Sequence, residues 1–186
     1  MTLKQTIFTA LPAVINALGT EDFSTAVLDL ARIAADFDSS VIMAYSESGS
    51  LNVLHNALHE GDQSGFGGPY RDGLWLFSPV YLSAKSGLRG FFHIEELAPE
   101  NFRDSEYYAI YYQPSGIIDH TIFLLESGDG TPLAISLERT QKMQIYTQDE
   151  KQQLNAMTPM LSALVKQHWK SGFNATALPG GALHHQ

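Results

Sequence analysis

Residues 117–139 read IIDHTIFLLESGDGTPLAISLER, and this stretch decides the fold class. Two apolar runs, 117–126 and 132–139, flank the turn sequence Gly128-Asp129-Gly130. Apolar runs on both sides of such a glycine-containing turn predict a β-hairpin. Because a hairpin joins antiparallel neighbours, the sequence predicts a sheet with antiparallel pairing at this point.

Three segments upstream of the hairpin also carry strand patterns. SVIMAYS (40–46) and LNVLHNAL (51–58) are rich in apolar residues and are separated by a break at Gly49. Residues 89–94 predict one further short strand. With the hairpin, these segments predict a sheet of about five strands.

Apolar residues at helical spacing mark the segments around these strands. Two helices are predicted before residue 40, and one is predicted across residues 74–82. Pro99 is predicted to open a further helix at its first turn, and Pro114 to end it. After the hairpin, Thr147-Gln-Asp-Glu150 is a capping box that opens a long last helix.

Hairpin strands between helical layers predict an α+β domain with a central antiparallel sheet. The first and last helices would cover one face of the sheet, and the middle segment would cover the other. This expected arrangement resembles the α/β/α sandwich of GAF and PAS-like sensory modules. Residues 1–170 are expected to form the domain, and residues 171–186, which lose the apolar period, a linker.

The composition excludes several classes of function. The 186 residues carry 11 Lys and Arg against 20 Asp and Glu, a net charge of −9, which argues against a large surface for nucleic acid. No cysteine is present, which excludes disulfides, thiolate metal sites, thiol nucleophiles and thioether-linked chromophores. No apolar run reaches the roughly 18 residues of a membrane span. The N-terminus lacks a signal-peptide pattern, so a cytoplasmic location is expected.

Aromatic residues are concentrated in the middle of the chain. Of 10 Phe, 8 Tyr and 2 Trp, 13 lie between Phe66 and Phe123. Buried tyrosine hydroxyls need hydrogen-bond partners, and an aromatic-walled cavity with a few polar groups is typical of small-ligand sites. We interpret the cluster as a ligand pocket. The alternative is a core that the same rings fill, with the hydroxyls reaching water.

The candidate ligand-binding residues are seven of these rings and one carboxylate. Tyr107 and Tyr111 are four residues apart, as are Tyr108 and Tyr112, so one pair is expected to face the sheet and the other the rim. The pocket is expected between the sheet and residues 70–112. The candidates are Tyr70, Trp75, Tyr81, Tyr107, Tyr108, Tyr111, Tyr112 and Asp119.

Asp119 and His120 begin a strand, so their side chains are expected on opposite faces of the sheet. The residue that faces the rings would be a buried polar anchor for an amine or a hydroxyl. With Asp119 in that role, Asp119→Asn would weaken an amine ligand and change the stability of the empty domain much less. If Asp119 points away from the rings, the anchor role passes to His120.

The sequence contains no pattern of an assembled catalytic or metal site. His55 and His59 have helical metal-ligand spacing but straddle a strand end, and His93 with Glu95 and Glu96 is an equally weak metal candidate. The serines lack a nucleophile-elbow context. No catalytic residue, metal or cofactor is therefore predicted, and the chain is not expected to be an enzyme.

Five segments together resemble the N-terminal sensory domain of LuxR-type transcriptional regulators, over roughly residues 18–169. The most specific is LAPENFRDSEYYAIYYQPSGIIDHTIFLL; the others are LGTEDF, DFDSSVIMAYSESG, LAISLERT and YTQDEKQQLNAMTPMLSALVKQHW. The resemblance implies a GAF-like sensor that binds a small-molecule effector and forms a homodimer. It also implies that DNA is bound by a helix-turn-helix domain, which would follow the linker.

One departure from this family concerns the ligand. Relatives that bind acyl-homoserine lactones are similar around Tyr70, Trp75 and Pro79, but they have an Asp before that proline, where this chain has Ser78. The lactone sensors use that carboxylate on the ligand amide. Its loss argues against a lactone and favours another small ligand, polar or cationic. A dimerisation module with a filled core and an enzyme acting in the same pocket are the alternative functions.

Overall fold

The computed structural model describes residues 2–46, 49–58, 70 and 72–170. The expected linker and the glycine-rich segment 59–69 lie outside the described residues, so the predicted boundary between domain and linker is not tested. Within the described ranges, the chain folds as an α+β domain around one five-stranded sheet, as predicted.

The sheet is antiparallel throughout, and its strands match the segments that the sequence predicted. They are β1 (Ser39–Tyr45), β2 (Leu51–Ala57), β3 (Gly90–His93), β4 (Ile117–Glu126) and β5 (Pro132–Thr140). Their spatial order is β2-β1-β5-β4-β3. The predicted hairpin therefore supplies the central strand, β5, and one of its two neighbours.

Helices lie on both faces of the sheet. The α-helices are α1 (Leu3–Asn16), α2 (Phe23–Arg32), α3 (Pro79–Lys85), α4 (Ile94–Leu97), α5 (Gln113–Ser115) and α6 (Gln148–His168). The predicted capping box opens α6, because Thr147 Oγ1 accepts the N–H of Glu150 and Glu150 Oε2 accepts the N–H of Thr147. Across the described part of the chain, no helix has the length and apolarity needed to cross a membrane.

The two faces of the sheet carry different cores. α1, α2 and α6 cover one face, the helical face, around an apolar cluster in which Leu133, Ile135 and Leu137 of β5 take part. Residues 70–117 cover the other face, the aromatic face, where Ala134 of β5 packs with a cluster rich in tyrosine. The predicted layering is confirmed.

The helix predicted from Pro99 to Pro114 is not continuous, and that prediction is wrong. Pro99 lies after α4, and its carbonyl accepts the N–H of Phe102 in a turn at 2.9 Å. A short 3₁₀ helix follows (Phe102–Asp104), and Ser105 Oγ then accepts the N–H of Tyr108 at 3.1 Å. The next segment, Tyr108–Tyr112, is a π-helix that runs into α5. The segment predicted as one helix across 74–82 is also divided, at Ser78, into a 3₁₀ helix (Leu74–Phe77) and α3.

The C-terminal end of α6 is held against two turns. His168 stacks on Phe23, with 3.9 Å between ring centroids, and its Nδ1 accepts the N–H of Gly19 at 2.9 Å. The N–H of Gly128 donates to the carbonyl of Trp169 at 2.8 Å. A Cβ on Gly128 would lie 2.7 Å from the Cα of Lys170, so only glycine allows the two backbones to approach so closely.

Leu154→Ala tests the helical face. The Leu154 side chain is fully buried between α6 and the sheet, so we expect the variant to lower the free energy of unfolding by about 2–5 kcal/mol in urea denaturation. Leu82→Ala is the matched control, because Leu82 is 52% exposed, and we expect a loss below about 1 kcal/mol there. Equal losses in the two variants would contradict this assignment of the core.

Candidate functional site

Tyrosine and tryptophan rings cover the aromatic face in continuous contact. Trp75 and Tyr81 meet edge to face, with ring centroids 4.6 Å apart, and Tyr45 of β1 lies 5.2 Å from Tyr81. Tyr70 lies 4.9 Å from Tyr111. All five rings are buried. The clustering of aromatic residues in the sequence therefore corresponds to one structural layer over the sheet.

Transverse rows of side chains form the sheet surface beneath these rings. Paired residues on β1, β5 and β4 give three rows on this face: Ser39, Glu138 and His120; Val41, Ser136 and Ile122; Met43, Ala134 and Leu124. The central strand contributes small side chains, Ser136 and Ala134, to two of the rows. Side chains therefore rise least from the sheet along β5, which lies under the rings.

The first of these rows is polar and buried, and we call it the polar row. Ser39 Oγ donates to Glu138 Oε2 at 2.8 Å, and the hydroxyl of Tyr111 donates to Glu138 Oε1 at 3.5 Å. His120 Nε2 lies 4.0 Å from the same Oε1. The hydroxyl of Tyr112 meets His120 Nδ1 at 2.7 Å. Two tyrosines thus sit directly above a buried carboxylate and a buried imidazole.

The π-helix explains why two consecutive tyrosines reach this row. In an α-helix, successive side chains point about 100° apart, so Tyr111 and Tyr112 would not both face the sheet squarely. The wider π turn at residues 108–112 leaves both buried, while Tyr108 stacks on Tyr112 nearer the rim, with ring centroids 5.5 Å apart. The expected split into one inward and one rim pair is therefore wrong, since Tyr107, Tyr111 and Tyr112 all lie inside.

His120 is neutral in this environment. Burial, with a smaller contribution from His93, lowers the pKa of the imidazole to about 3. Burial also raises the pKa of the Tyr112 hydroxyl, which therefore keeps its proton. The nearby Glu138 favours the tautomer with the proton on Nε2, so that the hydroxyl of Tyr112 donates to Nδ1.

Several buried polar atoms on this face have no hydrogen-bond partner among the described residues. They are the hydroxyls of Tyr45 and Ser136 and the Nε2 of His120. The hydroxyl of Ser78 lies within hydrogen-bond reach of those of Tyr70 and Tyr107, and burial raises the pKa of both phenols. A buried polar atom without a partner costs about 1–3 kcal/mol. Ser40 on the helical face and Thr158 of α6 bear the same cost, so such atoms occur on both sides of the sheet.

Asp119 does not join the packed ring layer of Trp75, Tyr81 and Tyr111, where it was expected, because its side chain is turned towards β3 and the segment before α6. Its Oδ1 accepts from His93 Nε2 at 2.5 Å and from the N–H of His120 at 3.0 Å, and its Oδ2 accepts the N–H of Tyr146 at 2.6 Å. Burial alone would raise the pKa of Asp119, but these hydrogen bonds, that of His93 first, lower it below its usual value. Asp119 is a structural carboxylate that ties β4 to β3 and to the segment before α6.

A cavity of about 540 Å³, here called the edge cavity, opens beside the start of β4. Its inner wall includes Tyr112, His120 and the pair of Asp119 with His93, and Phe102 and Tyr108 form one side. The cavity therefore reaches the polar row through Tyr112 and His120.

A second cavity, of about 710 Å³, is a mainly apolar groove on the outer side of the middle segment. Among the candidates, only Tyr107 lines it. Trp75, Tyr81 and Tyr111 line neither cavity. Asp119 lines the edge cavity but not the apolar groove. The aromatic candidates come together as a packed layer rather than around one open space.

The sequence analysis missed two polar residues of the aromatic face. Glu138 and Ser136 are buried on the aromatic face. Strand alternation could have identified them, because Leu133, Ile135 and Leu137 form one apolar face of β5 and leave the even-numbered residues on the other. Around the weaker metal candidates, no group of three or more His, Asp or Glu within the described ranges could hold a metal ion. His59 lies outside those ranges.

Comparison with solved structures identifies the fold. The ligand-binding domain of VqsR from Pseudomonas aeruginosa superposes with a TM-score of 0.72 and 22% sequence identity, over 87% of this chain and 94% of that domain. The chain has the fold of a LuxR-type ligand-binding domain. No protein-family model and no curated protein matches the sequence.

Two further structures share this fold. SdiA from Escherichia coli, also LuxR-type, matches with a TM-score of 0.59 and 12% identity, over 90% of this chain and 71% of that protein. The phycoerythrobilin-bound GAF domain of a cyanobacterial phytochrome matches with a TM-score of 0.54 and 15% identity, over 90% and 96% of the two chains. The resemblance to a GAF-like, LuxR-type sensory domain is therefore confirmed at the level of the fold.

Asp119→Asn is expected to destabilise the empty domain, which reverses the sequence-based expectation. An amide cannot accept all three hydrogen bonds that the carboxylate accepts, so we expect a loss of about 1–3 kcal/mol in the free energy of unfolding. Asp29→Asn, at an exposed position of α2, is the control and should change stability by less than about 0.5 kcal/mol. A loss at Asp119 no larger than that at Asp29 would refute the structural role.

The lowered pKa of His120 predicts a pH dependence of stability. The unfolded chain takes up a proton near pH 6.5, whereas the folded chain does so only near pH 3. The unfolded state therefore binds more protons between these values, and stability falls as the pH falls, by up to about 1.4 kcal/mol per pH unit. Urea denaturation of the parent and of His120→Gln between about pH 4 and about pH 6 tests this. Parallel pH profiles would contradict it, because all other titrating groups are common to both proteins.

Proposed function

We propose that this chain is the small-molecule-sensing domain of a LuxR-type transcriptional regulator, with the ligand bound on the aromatic face of the sheet. One observation carries the proposal. The polar row, in which Glu138 and His120 contact two tyrosine hydroxyls, lies buried under a layer of tyrosines on one face of the sheet. A carboxylate and an imidazole beneath aromatic rings are the kind of polar groups that a small-ligand site uses.

The energetics favour a ligand that brings polar atoms into this layer. The hydroxyls of Ser136 and Tyr45 each bear a desolvation cost that a hydrogen-bonding ligand removes. Ser136 lies in the middle of β5, where small side chains lower the sheet surface under the rings. Rings at the walls and a few polar groups at the base are the usual composition of a small-ligand site.

The ligand is proposed to differ from an acyl-homoserine lactone. At the position of the carboxylate that the lactone sensors use, this chain has Ser78, a buried, uncharged hydroxyl beside Tyr70 and Tyr107. Among structures with this fold, one of SdiA is a complex with octanoyl-rac-glycerol, which is a neutral ester with free hydroxyls and an acyl chain. A neutral or cationic ligand with hydroxyl or amine groups suits the aromatic face of this chain.

The rest of the regulator follows from the same proposal. DNA would be contacted by a helix-turn-helix domain outside this sequence, since the net charge of −9 does not suit a phosphate-binding surface. The protein would act in the cytoplasm as a homodimer that reads two half-sites. Effector binding, without turnover of the effector, is the activity that we assign to the chain.

One observation favours the second candidate function, a dimerisation module. The rings of the aromatic face touch one another throughout, and Trp75, Tyr81 and Tyr111 line neither of the two cavities. A filled core of this kind needs no ligand. The two functions differ in one measurable property, which is saturable binding of a small molecule at the aromatic face.

The test is a thermal-shift screen of metabolites, followed by calorimetric titration of each compound that raises the melting temperature. Ser136→Val removes a hydroxyl beneath the rings and is expected to weaken a true ligand about tenfold, the equivalent of one lost hydrogen bond. Ser40→Val is the matched control, because Ser40 is equally buried but belongs to the helical face. A dimer in sedimentation without any binder, or equal affinities in the two variants, would refute the sensor assignment.

A further inference from the structure

The edge cavity is surrounded by negative charge. Three exposed carboxylates, those of Glu95, Glu100 and Asp104, stand at its rim, and Asp119 lies in its inner wall. Arg103 is exposed at the same rim, and His93 already donates to Asp119. The cavity therefore presents more carboxylates than cations, which attracts a positively charged molecule and repels an anion.

Three aromatic rings also line the edge cavity. Phe102 meets Tyr108 and Tyr112 edge to face, with ring centroids 5.4 Å and 5.1 Å away, and the two tyrosines stack nearly parallel. The apolar side chains Ile94 and Ile117 also line the cavity. Ring faces attract a cation in addition to the carboxylates, and the apolar side chains suit a hydrocarbon body.

The inner wall connects this cavity with the polar row. His120 lines the cavity and is only 3% exposed, and its Nε2 has no hydrogen-bond partner among the described residues. Its Nδ1 is held by the hydroxyl of Tyr112, which the π-helix positions between the cavity and the polar row. A molecule in the edge cavity would thus touch Tyr112 and His120, and the Nε2 of His120 lies 4.0 Å from Glu138 Oε1.

We propose that the edge cavity binds the positively charged end of an amine ligand, with the carboxylates of the rim around the ammonium group and the rings of Phe102, Tyr108 and Tyr112 beside it. This inference rests on the proposed function and assigns the chemical class of the effector. The apolar body of the amine lies towards Tyr112 and His120. A volume of about 540 Å³ accommodates an aryl-alkyl amine.

The experiment compares three probes that share one body and differ in charge. 2-Phenylethylamine is cationic, 2-phenylethanol is neutral and phenylacetate is anionic at neutral pH. Each is titrated into the ¹⁵N-labelled protein while amide resonances are followed by NMR. The amine is expected to bind at least about tenfold more tightly than the alcohol, to shift the resonances of Tyr108, Tyr112 and His120, and to weaken with added salt. Phenylacetate is expected not to bind.

Two sets of variants locate the charge selectivity. Glu100→Gln combined with Asp104→Asn is expected to weaken the amine about fivefold and to leave the alcohol unchanged. Glu21→Gln combined with Asp29→Asn, at exposed positions away from the cavity, is the matched control and is expected to change neither. Tyr108→Leu, which removes a ring from the wall but keeps an apolar side chain, should reduce the advantage of the amine over the alcohol.

The outcomes separate this inference from the proposed function. Equal affinities of the amine and the alcohol, or equal effects of the two double variants, would overturn the amine assignment while leaving a sensor of neutral ligands. Amine binding that shifts only resonances far from Tyr108 and Tyr112 would overturn it as well. Failure of the sensor function itself would appear as the absence of saturable binding of any compound, both in the metabolite screen and in the NMR titrations.

Discussion

β5 pairs with a strand on each side, and its residues 133–140 are buried on both faces of the sheet. A strand in this position must place every second side chain in a different core. Odd-numbered residues from Leu133 to Leu137 enter the apolar helical core, and the even-numbered residues from Ala134 to Glu138 enter the aromatic one. The distinction between a structural face and a binding face therefore begins in the alternation of this one strand.

Much of this architecture could be predicted because it depends on local patterns. Period-two and helical spacing located the five strands and the terminal helices, and the Thr147–Glu150 capping box marked the start of α6. The middle segment was harder, because residues 94–115 combine an α-helix, a 3₁₀ turn and a π turn within one apolar, tyrosine-rich stretch. Side-chain spacing assumes one helical period, so it could not show that Tyr111 and Tyr112 are both buried.

The sequence analysis identified the aromatic residues that meet on one face of the sheet, but it named Asp119 rather than Glu138 as the carboxylate beneath them. Alternation placed Asp119 and His120 on opposite faces, which holds, but it could not say which of them faces the rings. A register irregularity between Ile117 and Asp119 decides this, together with the main chain of Tyr146, which donates to Asp119 from outside the sheet. The carboxylate under the tyrosines is Glu138, and the pattern of its own strand identifies it. The prediction that Asp119 faces the rings thus failed because of tertiary contacts, which no local sequence pattern contains.

The close approach of Gly128 to Lys170 has a mechanical consequence. The same β4–β5 ribbon carries the polar row near one end and, at the other, the turn that grips the last residues of α6. Eight residues separate Glu138 from Gly130, which is about 25 Å of extended strand. The ribbon is continuous between these two places, so its position at the polar row and its position at Trp169 and Lys170 are fixed together. A displacement of the ribbon beneath the tyrosines would therefore also displace the turn against which Trp169 and Lys170 lie.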